Sequence, residues 1–245
     1  LNALDLFSGI GGNTLALKDY VKTIAYCEAD RHAQAVLLSR MADGSIEPAP
    51  IWDDVSSLRA ECFDVPIDII IAGFPCQDIS SVGSRSGLAG KRSGLFFEVL
   101  RLIDEIKPPF AFLENVPAIR TRGGERVVKE LARRGYDCRW DTISAYDVGA
   151  PHKRERWFLM AYSKSKRDLR EVRDIPHQDA EKDRPKIQYE KKSRLSLDAS
   201  RWETEPAMGR MVNGIPYQLD RLKRLGNAVV PVQAKEAFER LIGLK

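Results

Sequence analysis

Cysteine is scarce in this 245-residue chain: Cys27, Cys62, Cys76 and Cys138 are all there are, with no CxxC pair and a single histidine, His32 after Cys27, near any of them. That spacing excludes an ordinary structural zinc site, and no metal is expected. No apolar run approaches the ~20 residues that span a bilayer, so no membrane segment is expected. Asp5 interrupts the first apolar stretch, so we expect no signal peptide and a cytoplasmic protein. The glycines do not follow the G-x-G-x-x-G spacing of dinucleotide-binding turns. The chain has neither internal repeats nor low-complexity tracts.

Hydrophobic residues make up 43% of the chain and charged residues 30%, the balance of a globular protein with one large core or a core plus a small lobe. Net charge is only +4, but it is unevenly spread. Residues 163–201 hold twelve Lys or Arg against eight Asp or Glu, and the remainder holds 27 of each. The whole excess therefore sits in one segment too poor in apolar residues to form its own core. A basic insert on a neutral body points to a polyanionic partner, although a solvated loop of mixed charge has the same composition.

Strands and helices alternate along the rest. Ala3–Phe7 reads as a first strand, Ser8–Gly12 as a tight turn, and Asn13–Asp19 as the start of a helix. Thr23–Cys27 reads as strand two, closed by Glu28, and Arg31–Met41 has helical spacing. A third strand from Ile51 ends near Asp54. Ile67–Ala72, apolar apart from Asp68, predicts a strand buried on both faces. Leu95–Ile106 is an amphipathic helix, stopped by Pro108–Pro109. Phe110–Leu113 is a strand, and Glu125–Arg134 a helix closed by Gly135. Cys138–Ser144 and Trp157–Tyr162 form a terminal strand pair, and Pro231–Leu241 a last helix with Pro in its first turn. The rhythm predicts a doubly wound, mostly parallel α/β sheet. We divide the chain into residues 1–162, an insert at 163–208, and a segment at 209–245 that returns to the first unit.

Ligands in such sheets bind where strands end at their carboxyl edge. One strand runs out through Gly73-Phe74-Pro75 into Cys76, and the next ends at Glu114-Asn115-Val116. A thiol beside a carboxyl group suggests a nucleophile beside an acid. A thiolate forms more readily near cations, which Arg154 and Arg156 supply. The other three cysteines read as small buried hydrophobes. The polar, Gly-rich stretch Ser80–Gly90 begins directly after Cys76 and could close over a substrate. The turn Ser8–Gly12 lets a ligand approach the backbone. Glu28, about 20 residues on, is placed to bind ribose hydroxyls, and Asp54 to accept from an adenine amino group. These features describe a nucleoside cofactor without a pyrophosphate.

Six ordered stretches carry a family resemblance: Asp5–Gly12, Gly73–Gln77, Arg92–Glu98, Glu114–Val116, Arg154–Arg156 and Gly226–Pro231. Together they resemble the DNA (cytosine-5) methyltransferases, across nearly everything except residues 163–205. The resemblance implies a Rossmann-like methyltransferase fold and S-adenosylmethionine as cofactor, with S-adenosylhomocysteine as product. It also implies attack by Cys76 on carbon 6 of a flipped-out cytosine, with Glu114 at ring nitrogen 3 and Arg154 and Arg156 holding base and carboxyl. Phe7, Gly9, Ile10, Gly11, Gly12, Glu28, Asp54, Asn227 and Val229 would hold the cofactor. Gln77, Ser80, Arg85, Lys164 and Arg167 would contact double-stranded DNA, bound by a monomer in bacterial or phage DNA modification. The family usually has Gln where this chain has His152, and its recognition region is often longer than residues 163–205. Trp202, Glu205, Arg210 and Asn213–Pro216 are assigned to the junction with the core.

Three other readings compete. Relatives with this core methylate cytosine in transfer RNA, and a basic insert does not separate RNA from DNA. A nicotinamide-dependent dehydrogenase is disfavoured by the glycine spacing. A catalytically silent nucleic-acid-binding protein has no need of both Cys76 and Glu114. Enzymes that methylate amino groups resemble one another in an Asp/Asn-Pro-Pro-aromatic loop, where this chain has Phe74-Pro75-Cys76-Gln77.

Overall fold

The computed structural model describes residues 1–75, 94–164 and 228–244. Within them the chain builds one seven-stranded sheet. The strands are β1 (Asn2–Leu6), β2 (Lys22–Cys27), β3 (Ile51–Trp52), β4 (Ile69–Ala72), β5 (Phe110–Asn115), β6 (Tyr136–Ser144) and β7 (Glu155–Ser163). The helices are α1 (Gly12–Leu17), α2 (Arg31–Ala42), α3 (Leu95–Ile106), α4 (Ile119–Arg122), α5 (Gly124–Arg133) and α6 (Pro231–Ile242). The strand order is β3-β2-β1-β4-β5-β7-β6. Strands β1 to β5 pair in parallel, while β7 runs antiparallel to both β5 and β6.

Strand alternation divides the core into two layers. In β4, Ile70 and Ala72 join the layer under α3 and α5, and Ile69 and Ile71 join the opposite layer under α1 and α6. All four are completely buried, as expected for a central parallel strand covered on both faces. Helix α3 supplies Phe96, Val99, Leu100, Leu102 and Ile103, an apolar stripe at helical spacing. Asp30 caps α2 by accepting from the backbone N–H groups of His32 and Ala33 at 2.9 and 3.0 Å. Gly135, at φ 83°, supplies the left-handed turn after α5.

Helix α6 is integral to the second layer. Phe238 is fully buried, edge-on to Phe112 at 5.5 Å and 5.1 Å from Tyr20. The expected third strand is short: β3 stops at Trp52, so Asp54 lies in the turn beyond it. The cysteines also depart from expectation. Cys27 is buried and Cys138 partly so, but Cys62 is exposed, because the 3₁₀ turn Ala60–Cys62 carries no buried residue. No described helix is long and apolar enough to cross a membrane.

Phe238→Ala should remove the anchor of α6 and lower the unfolding free energy by about 3–5 kcal/mol in urea denaturation. A loss below about 1 kcal/mol would mean that α6 is not part of the cooperative core.

Candidate active site

The chain winds outward from β1 to β3 in one direction and from β4 onward in the other. A crevice at the carboxyl edge between β1 and β4 follows from that reversal. There a cleft of about 440 Å³ is lined by the β1–α1 turn, Glu28, Asp53, Asp54, Gly73, Pro75, Glu114, Ala228 and Val229. Its volume lies in the ~300–1,000 Å³ range of small-molecule sites.

The β1–α1 turn is built for close approach. Phe7 has φ 55°, a left-handed conformation that costs a bulky residue ~1–3 kcal/mol and tends to be kept where it aims a side chain. Gly9 and Gly11 follow at φ 55° and 79°. Asp5 is completely buried and accepts from Thr14 Oγ1 at 2.5 Å, which ties β1 to α1 across the turn. Burial, opposed by the Thr14 bond, pushes its carboxyl up to about 7. Arg40 of α2 donates to the Ile10 carbonyl at 2.7 Å and fixes the turn from outside. A Cβ on Gly12 would lie 2.7 Å from Val229 Cγ1 and 2.9 Å from the Val229 carbonyl oxygen. Only glycine lets the C-terminal segment come so near.

Most of the expected cofactor residues meet here. Phe7, Gly9, Ile10, Gly12, Glu28, Asp54 and Val229 all line the cleft. Gly11 is not among the lining residues, and a side chain there would meet Leu37 Cδ2 at 3.0 Å. Its part is the turn geometry. The Glu28 carboxylate accepts from the backbone N–H groups of Gly9 at 2.7 Å and Asp30 at 2.8 Å. Asp54 accepts from the Ser56 backbone N–H and hydroxyl, which hold its carboxyl below the usual range.

Glu114 ends the buried run of β5. Arg156 Nε stands 2.8 Å from its Oε1, and both side chains are nearly enclosed. Burial raises the Glu114 carboxyl above its ordinary value, while Arg156 and then Arg154 pull it down without cancelling the rise. Burial in turn lowers the Arg154 guanidinium, with Arg156 adding repulsion. The Arg154 side chain donates to the Ala228 carbonyl, so the two arginines divide their work: one holds the carboxyl, the other the C-terminal segment. A Cβ on Gly73 would lie 3.1 Å from Glu114 Oε2 and 3.7 Å from Asn13 Nδ2. Asn115 Nδ2 donates to the Phe74 carbonyl at 2.9 Å. The β4 exit is thereby pinned beside Glu114 two residues before Cys76.

Cys76, Gln77, Ser80, Arg85, Arg167 and Asn227 lie outside the described residues. Among the described cysteines, Cys27 also lines the cleft, but burial and then Glu28 push its thiol up to about 12. It is not a thiolate at neutral pH. Lys164 is not brought to the cleft. The antiparallel direction of β7 places it at the opposite edge of the sheet, about 26 Å along the strand from Arg156. There its Nζ pairs with Asp137 at 3.4 Å. The sequence reading assigned no role to Asn13, Asp53, Gly73, Asn115 or Ala228. Asn115 was visible inside the Glu114-Asn115-Val116 motif, but its bond to Phe74 spans 41 residues and has no local signal.

The sequence profile of the family described as C-5 cytosine-specific DNA methylase matches residues 1–213. The type II methyltransferase M.CviJI of Paramecium bursaria Chlorella virus IL3A is 34% identical over 244 residues, covering 97% of this chain and 58% of that protein. The type II methyltransferase M2.BsuMI of Bacillus subtilis is 34% identical over 171 residues, covering 66% of this chain and 42% of that protein. The chain thus spans about half the length of these relatives. A crystal structure described as a DNA modification methyltransferase encoded within an E. coli prophage superposes with a TM-score of 0.53 at 32% identity, covering 67% of this chain and 47% of the other. The S. pombe Dnmt2 methyltransferase superposes at 0.55 and 23% identity, covering 66% of this chain and 51% of the other, a likeness of fold alone.

Linkage gives one test of this geometry. A carboxyl raised in the folded state contributes fully below its unfolded pKa of 3.8, and that contribution is lost as pH rises through about 7. Asp5→Asn should remove this loss, so its stability should fall less than the wild type's between pH 4 and pH 8, by a few kcal/mol. Parallel stability curves, measured by urea denaturation, would show that Asp5 is not the buried titrating group.

Proposed function

This chain belongs to the C-5 cytosine-specific DNA methylase family, and from that membership we propose that it transfers a methyl group from S-adenosylmethionine to carbon 5 of cytosine in duplex DNA. The observation that carries this reading is the enclosed Glu114–Arg156 pair, set where the β4 exit leads from Gly73 into Cys76. The cleft beside it fits the cofactor. Gly12 lets Val229 close in as part of the cleft wall, and the turn, Glu28 and the acidic β3 exit match a nucleoside with a short tail. Phe7, Gly9, Ile10, Gly12, Glu28, Asp54 and Val229 would hold it, with Asn227 of the neighbouring segment. S-adenosylmethionine supplies an electrophilic methyl group on a sulfonium sulfur.

Cytosine carbon 5 is a weak nucleophile until a bond forms at carbon 6. The Cys76 thiolate adds there, and the charge that develops on the ring is met at nitrogen 3 by Glu114. A carboxyl raised by burial holds a proton for that purpose more readily than one in water. Arg156 keeps its orientation fixed. Once carbon 5 has gained its substituent, loss of the carbon 5 proton to a base restores the ring and expels the thiolate. The base must leave the duplex to reach this pocket, at a cost of a few kcal/mol. Residues 163–208 form the recognition insert in this reading, and residues 209–245 return the chain to the catalytic unit.

Methyl incorporation from labelled S-adenosylmethionine tests the proposal. The wild type should label duplex DNA, and Cys76→Ser should fall to background while binding the cofactor within about threefold of wild type by calorimetry. A duplex carrying 5-fluorocytosine should be trapped covalently, because fluorine cannot depart as a cation. Full turnover by Cys76→Ser would refute the covalent step. Label entering transfer RNA in preference to duplex DNA would reassign the substrate while keeping the chemistry.

A further inference from the structure

Gln233 sits in the first turn of α6 and is completely buried. Its Nε2 donates to two backbone carbonyls at once, Ile143 at 2.7 Å and Arg154 at 2.6 Å. The Arg154 carbonyl also accepts from the Ala145 N–H at 2.9 Å. In the other direction, the Arg154 guanidinium donates to the Ala228 carbonyl, just before α6. The C-terminal segment and the start of β7 therefore grip each other in both directions. Ile143 lies opposite Arg156 in the β6–β7 register, so the two carbonyls held by Gln233 bracket the backbone from Arg154 to Arg156. Arg156 in turn meets Glu114.

A filler of the same shape would serve packing better. Gln233 Oε1 is buried with no hydrogen-bond partner among the described residues, a cost that methionine would avoid. That cost is retained for what Nε2 does. We propose that Gln233 is a positioning residue that fixes the Arg154–Arg156 backbone so that Arg156 meets Glu114, and so joins the segment facing the cofactor to the carboxyl facing the base. Its catalytic meaning rests on the methyl-transfer reading above. The same segment lines the cleft at Ala228 and Val229, so both halves of the site share one support.

The carboxyl of Glu114 reports on this support. Among the described residues, the charged groups facing it are Arg156 and Arg154, from β7 and the residues before it. The β4 exit and α1 present Gly73 and Asn13, neither of which titrates. Loosening Arg156 removes a pull that lowers the Glu114 pKa, so the midpoint must rise.

The test is a carbon-13 NMR titration of Glu114 in the full chain, assigned with Glu114→Gln. In Gln233→Met the midpoint should move up by about half a pH unit or more, with cooperative thermal unfolding retained. In the methylation assay kcat should fall while KM for S-adenosylmethionine stays within about twofold. If the methionine variant does not fold, Gln233→Asn takes its place, since it keeps an amide one methylene too short to span both carbonyls. An unchanged midpoint in either folded variant would overturn the proposal. The titration needs neither DNA nor turnover. A wild type that labels no DNA, alongside a shifted midpoint, would sink the methyl-transfer reading and leave the positioning role standing.

Discussion

A carboxyl group held out of water beside a guanidinium is the constraint on which this architecture turns. Enclosing Glu114 and Arg156 together costs solvation of both charges, and breaking such a pair by removing one partner is worse than never having built it. The surrounding elements share that cost. β5 delivers Glu114 at the end of a fully buried run, and β7 returns antiparallel so that Arg156 approaches from the adjacent strand. Gly73 brings the neighbouring backbone within reach of the same carboxylate. Burial exceeds the arginines' pull, so the group is biased toward keeping a proton where one is useful.

The cleft beside this pair is made by backbone rather than by side chains. A phenylalanine in the left-handed region, two glycines at positive φ and a buried Asp5–Thr14 bond force β1 to turn sharply into α1. Gly12 then admits the Val229 backbone from the far end of the chain. The cleft and the acid are close because both lie at the switch point between β1 and β4. Residues 228–242 close the structure: α6 covers one face of the sheet, and the residues before it touch cleft and arginine alike.

Much of this was legible beforehand because the signals are local. The apolar run at Ile69–Ala72, the stripe of α3, Gly135 after α5 and proline at the start of α6 each gave an element at nearly its observed bounds. What failed was equally physical. β3 stopped short at Trp52, because the residues after it are held in a turn by the Asp54–Ser56 bonds. Cys62 looked like a core residue by type and stands exposed on a surface turn.

The sequence by itself determined the alternating α/β layers and the Gly-rich turn with its acidic partner. Those follow from periodicity and from short motifs whose chemistry is carried within a few residues. Tertiary structure alone decided which arginine meets Glu114, that Gly12 exists to admit Val229, and that Gln233 grips the backbone of Arg154. Each of these joins residues roughly 40 to more than 200 positions apart, and no local propensity encodes a contact whose partners meet only when the sheet closes.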